Sequence, residues 1–215
     1  METSISFLAG TALTIGTLHT LAGPDHYLPF VALSKSRNWS LLKTINITAI
    51  CGLAHVLSSV VIGFIGIAAG YALSGLEAVE GKRGDIAAWL LLSFGIGYML
   101  WGFFKLWKNK SHDHTHSANE KKKITFWILF TIFIFGPCEP LIPLLMYPAA
   151  QHNYLAVSYI SLLFALTTIS TMIVMVVLLT KGISLVKFNI IEKFQHVLAG
   201  AAIALCGMAI LFLGL

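Results

Sequence analysis

The sequence predicts an all-α integral membrane protein of six transmembrane helices. They are arranged as two inverted three-helix repeats, with helices one and four broken at proline. Three observations predict this. Of 215 residues, 57% are hydrophobic and 11% charged, and the mean hydropathy is +0.84; a soluble domain carries about 25% charged residues. Six apolar runs, 4–33, 44–73, 86–107, 124–147, 155–180 and 194–215, are each long enough for a span of about 20 residues. A Gly-Pro element closely followed by an acid occurs in the first run and again in the fourth, where Gly136 lies 113 residues after Gly23. Three spans per half force the halves to insert with opposite topology. The expected organisation is a first repeat over 1–107, a His- and Lys-rich loop over 108–123 and a second repeat over 124–215.

Orientation follows from the basic residues. Lys35, Arg37 and Lys43 follow the first span. Lys105, Lys108, Lys110 and Lys121–Lys123 follow the third, and Lys181, Lys187 and Lys193 the fifth. Only Lys82 and Arg83 fall on the other side. Short loops rich in Lys and Arg stay in the cytoplasm. Both termini are therefore expected outside and the loop over 108–123 inside, in a bacterial inner membrane. Basic residues spread through short loops are no nucleic-acid signal. The lipid bilayer is the expected partner, and the oligomeric state is left open.

The first run has Glu2 and no basic segment before it, so it is expected to stay as a span rather than be cleaved. It carries His19 and ends in Gly23-Pro24-Asp25-His26, with Pro29 beyond. The second holds His55, with Ser58 and Ser59 three and four residues on and so on the same helical face. Gly63, Gly66 and Gly70 follow at the small-residue spacing of close helix packing, and Gly95 and Gly102 do so less tightly in the third. The loop after it contains His112, His114 and His116, an alternation suited to loose metal binding. The fourth run carries Gly136-Pro137-Cys138-Glu139, with Pro140 and Pro143 close behind. The fifth offers Thr167, Thr168, Ser170 and Thr171, and 165–171 aligns roughly with 53–59 of the second. The sixth opens with His196.

Of the nine acidic residues, this reading puts only Asp25 and Glu139 inside spans. An aspartate at a helix centre costs about 2.5–3.5 kcal/mol on insertion scales. Two such costs in matching positions point to function. Proline removes a backbone donor, and irregular backbone at membrane depth is tolerated only where it lines a protein cavity. Broken helices at matching places in two halves mark a transport site near the midplane. On an unbroken helix His19 and His26 would be about 10.5 Å apart along the axis, so only the break lets them converge. Imidazole and carboxylate together suit borderline divalent metals. The expected metal site is His19, Asp25, His26 and His55 from the first half, with Glu139 and Cys138 from the second and Ser58, Thr167 and Thr168 as polar lining.

Cys51, Cys138 and Cys206 form neither a CxxC motif nor a disulfide framework. No nucleophile with an attendant base, no phosphate-cradling loop and no soluble catalytic domain is visible, so no enzyme is expected.

The stretch His19-Thr-Leu-Ala-Gly-Pro-Asp-His26 resembles the first-helix motif of nickel/cobalt transporters. It is most similar to their compact urease-accessory (UreH-like) and sulfite-exporter-like relatives. The family motif has four residues between the first histidine and the Asp-His pair; here there are five, Thr20 to Pro24. His55 resembles the family's second-span histidine. The resemblance implies Ni²⁺ or Co²⁺ as the transported substrate, recognised by His19, Asp25, His26 and His55. Phe135-Gly-Pro-Cys-Glu-Pro140 resembles the proline-cysteine motif of the thiol-disulfide membrane electron carriers of cytochrome c biogenesis. Those carriers use one cysteine from each half, and Asp25 stands where the first would be. A shared fold without the dithiol chemistry is what that implies. Electron carriage, export of a small anion and handing metal to a partner are the competing functions. An anion exporter would want Arg or Lys inside a span, and none is expected there.

Overall fold

The computed structural model describes residues 2–70, 73–108, 118–185 and 189–214. Every element among them is helical. In chain order they are α1 (Glu2–Ala22), α2 (Leu28–Ser36), α3 (Leu41–Ala68), α4 (Leu73–Trp107), α5 (Ala118–Phe135), α6 (Leu141–Ala150), α7 (Tyr154–Leu185) and α8 (Asn189–Leu213). Five stretches are long and apolar enough to cross a membrane: Ile5–Ala22, Leu41–Ala68, Leu73–Trp107, Tyr154–Ser184 and Lys193–Leu213. Large apolar side chains such as Phe7, Leu42, Ile65, Leu155 and Leu162 face outward from them. A soluble monomer rarely exposes so much apolar surface.

Local chemistry sets the helix ends. α1 stops at Ala22 because Pro24 restricts Gly23 to extended backbone, with φ −89° and ψ 95°. A single 3-10 turn, Pro24–His26, carries the chain round, and α2 begins with Pro29 in its first turn, where a missing N–H costs nothing. After α2 the chain turns through Asn38 in the left-handed region, φ 51°, which asparagine tolerates. Ser40 caps α3 by accepting from the Lys43 amide at 3.3 Å. Asn153 caps α7 in the same way, accepting from Ala156 at 3.0 Å.

Two expectations change here. α4 is 35 residues long and starts at Leu73, not at 86. The charged stretch expected as an outer loop is helix, and it buries Glu80 and Arg83. The fourth apolar run is two short helices, Ile124–Phe135 within α5 and Leu141–Ala150, separated at Gly136–Pro140. Pro140 caps α6, and Pro143 falls among its first amides, which have no partner within the helix anyway.

Packing is closest between α4 and α8. A Cβ on Gly95 would collide with the Ala204 amide nitrogen, and one on Gly200 with that of Met99. One on Gly207 would come 2.6 Å from the Leu92 nitrogen. Backbones in contact need small residues on both sides. The seam expected from Gly63, Gly66 and Gly70 forms at one position: Gly63 and Gly70 meet nothing within 4 Å, while a Cβ on Gly66 would collide with the Leu76 side chain. The remaining core forms where α1 and α3 pack on α7, α2 on α8, and α3 on α5.

Candidate metal centre

His19 sits in the last turn of α1, His26 in the 3-10 turn that follows, and His55 at the middle of α3. The break at Gly23 does what the unbroken helix could not. The His19 and His26 ring centroids are 4.8 Å apart at 81°, and those of His26 and His55 are 5.1 Å apart at 88°. One ligand atom from each lies within 4.8 Å of the others. Among the described residues this is the only such group of three.

The tautomer of His26 follows from its neighbours. Its Nδ1 lies 3.1 Å from the Gly23 carbonyl, and a carbonyl can only accept, so Nδ1 carries the hydrogen. Nε2 is then a free lone pair. The Nε2 atoms of His19, His26 and His55 are all buried without a hydrogen-bond partner. Leaving a buried polar atom unpaired costs about 1–3 kcal/mol, so three such atoms in one cluster suit a bound cation or a water. Gly23 is needed for this packing: a Cβ there would lie 2.6 Å from His26 Nδ1.

Asp25 is not a member of the convergent set. Its Oδ1 lies 3.3 Å from His26 Nδ1, on the far side of the ring from Nε2. No hydrogen bond joins them, so Asp25 Oδ1 is itself buried without a partner and acts on His26 through its charge. Beside Asp25, His26 and His55 is a cavity of about 30 Å³, walled by Phe133, Gly136 and Pro137, roomy enough for one water or ion.

Comparison with protein-family models, with curated proteins and with solved structures finds no match. The chemistry of the site therefore stands on the residues themselves.

The second-half residues do not join it. Glu139 is exposed. Cys138 is fully buried in the α5–α6 break, with Leu141 and Leu145 in the same cluster, and is no part of the three-histidine group. Thr167 donates to the Leu163 carbonyl at 2.8 Å and packs against Gly16 of α1. Thr168 lies on the buried stripe Phe164–Thr168–Met172–Val176 of α7, and its hydroxyl has no partner. Ser58 donates to the His55 carbonyl at 2.7 Å, so it supports the ligand rather than lining the cavity. His196 bonds Tyr98 and Lys105 where α4 and α8 meet. His112, His114 and His116 lie outside the described residues.

Sequence reasoning missed Glu80 and Arg83, whose relative exposures are 0% and 9%. They form an ion pair three residues apart on α4. Glu80 Oε2 accepts from the Ser59 hydroxyl at 2.9 Å and the Cys138 amide at 3.1 Å. Arg83 Nη2 donates to Ser58 Oγ and to the Ile134 carbonyl, both at 2.6 Å. A basic residue thus does lie inside a span, against expectation. Its donors are committed to a carboxylate, hydroxyls and carbonyls, so it offers no free cation to an anionic solute.

Proposed function

We propose that this chain is a secondary transporter of a divalent transition-metal ion, with Ni²⁺ or Co²⁺ first. One observation carries the reading. Three histidines, each with a buried Nε2 that has no partner, bring one ligand atom apiece within 4.8 Å of the others. Neutral imidazole suits these metals, and hard cations such as Mg²⁺ prefer oxygen. Around a metal held at about 2.0–2.1 Å, tetrahedral ligand nitrogens sit about 3.3 Å apart. Ligand atoms up to 4.8 Å apart would have to close by about 1.5 Å to grip an ion. Asp25 offsets part of the ion's charge.

The six-span, inverted-repeat architecture belongs to the same proposal. α1–α2 and α5–α6 are each broken at Gly-Pro. The helix contacts also exchange in pairs between the halves: α1–α7 with α5–α3, α2–α8 with α6–α4, and α2–α7 with α6–α3. Such halves can rock about a site that both enclose. Protons compete for the same nitrogens, because the metal needs them deprotonated, so a proton gradient can drive the exchange. Enzymatic chemistry plays no part in this reading.

The test is flux into proteoliposomes. Wild-type protein is expected to move Ni²⁺ or Co²⁺ in preference to Mg²⁺. His26→Ala and His55→Ala should each lower the rate by more than about 100-fold, since losing a supporting partner alone costs about 10–100-fold. Undiminished flux in both variants, at equal reconstitution, would sink the proposal.

A further inference from the structure

The most heavily bonded buried charges among the described residues, Glu80 and Arg83, have no part in the transport reading so far. We propose that they are positioning residues for the three-histidine site: the pair clamps the α5–α6 break as the wall of the cavity and fixes His55 through Ser58. The proposal rests on the metal reading above and deepens it.

A helix that ends at membrane depth leaves carbonyls without partners. At the end of α5 one guanidinium takes up two of them, donating from Nη2 to the Ile134 carbonyl at 2.6 Å and the Gly136 carbonyl at 3.4 Å. The same guanidinium reaches Ser59 Oγ at 3.2 Å and Ser58 Oγ at 2.6 Å. Only a planar fork of donors can do this, so lysine is no substitute. Glu80 neutralises the charge and holds the Cys138 amide at 3.1 Å. Glu80 and Arg83 therefore grip the break from both sides of Pro137.

The grip reaches the histidines by contact. A Cβ on Gly136 would lie 2.8 Å from His55 Nδ1, and one on Gly84 would lie 3.0 Å from Pro137 Cγ. The break is seated between α3 and α4, and Gly136 and Pro137 wall the cavity that Asp25, His26 and His55 also line. The hydroxyl that Arg83 binds at Ser58 is the one that holds the His55 carbonyl. Moving the break moves the wall and the ring together.

There is a consequence for stoichiometry. Unwound carbonyls at a broken helix are a ready cation site. At the second break the chain supplies its own cation, so only the first break is left to take a metal. The two breaks together hold one ion, not two.

The test is Co²⁺ titration of the purified full chain in detergent. It would follow the visible ligand-field bands and the affinity, beside thermal unfolding without metal. With His112, His114 and His116 replaced by alanine, to remove the loose binding expected of that loop, the chain should bind one Co²⁺. Arg83→Lys and Ser58→Ala should each weaken binding by about 10–100-fold and shift the bands. Ser58→Ala leaves no buried charge unpaired and should melt within a few degrees of wild type, which covers the case where Arg83→Lys fails to fold. Wild-type affinity and unshifted bands in Ser58→Ala would overturn the positioning role. So would affinity lost only in proportion to unfolded protein, with the bands unchanged. Two Co²⁺ per chain with His112, His114 and His116 replaced by alanine would overturn the filled second break. No Co²⁺ bound to that chain would instead remove the three-histidine reading, and this proposal with it.

Discussion

His26 is held through Nδ1 by the Gly23 carbonyl at 3.1 Å, with the Asp25 carboxylate 3.3 Å away as a charge neighbour rather than a hydrogen-bond partner. That fixes which nitrogen faces His19 and His55. Asp25 therefore acts on the metal through His26, and its replacement should weaken binding without abolishing it. Asp25→Asn is expected to lower Ni²⁺ affinity by about 10–100-fold, measured by isothermal titration of the purified protein. Loss as complete as in His26→Ala would make Asp25 a ligand instead. The clustering of His19, His26 and His55 was approachable from the sequence because each interrupts an apolar run at a cost, whereas Asp25 was expected among the ligands and stands outside their group. Glu80 and Arg83 were not legible. They stand among Glu77, Lys82 and Asp85, and a charged run reads as solvated loop. Only the fold shows that two of those charges turn inward at i and i+3, where they satisfy one another. Glu139 erred the other way. Its place in the repeated element suggested a partner for Asp25, but the second break turns its amide at Cys138 inward and leaves that carboxylate exposed.

At the scale of elements, the breaks were readable and the seams only in part. Proline and glycine act through local backbone geometry, so Gly23-Pro24 and Gly136-Pro137 announce themselves in one dimension. Which glycine row meets another helix depends on tertiary packing. Gly63, Gly66 and Gly70 have the tighter spacing, yet the closest backbone seam is the row expected to be looser, Gly95 and Gly102 of α4, against Gly200 and Gly207 of α8, which the sequence did not single out. The two rows should respond differently to added volume. Gly200→Leu forces apart two backbones in contact and should cost well beyond the about 1–3 kcal/mol of ordinary overpacking. The expected result is a large fall in thermal midpoint, or no folded protein, in detergent. Gly63→Ala adds a methyl where nothing lies within 4 Å and should leave the midpoint near wild type. Equal midpoints for the two variants would mean that α4 and α8 do not approach as closely as this.

At the scale of the whole molecule, the open question is how many times the chain crosses the bilayer, and it turns on α5 and α6. The apolar part of α5 has 12 residues and α6 has 10. At about 1.5 Å per residue they reach about 18 and 15 Å, and only end to end do they match a hydrocarbon core of about 30 Å. If they continue one another across the membrane, α3, α4 and α5–α6 make three crossings between Lys43 and Gln151. Those residues then lie on opposite faces. If α5–α6 dips in and returns, there are two crossings and the residues share a face. The inverted repeat requires the first arrangement, with Lys43 in the cytoplasm. The native cysteines are all buried, and both positions are exposed, so each can be replaced singly by cysteine and probed with a membrane-impermeant thiol reagent. Gln151→Cys is expected to react in sealed right-side-out vesicles, and Lys43→Cys only in inverted ones. Labelling of both from the same side would make the second break a re-entrant hairpin. The halves could not then rock as equivalents, and the metal would have to pass beside a fixed α5–α6 pair.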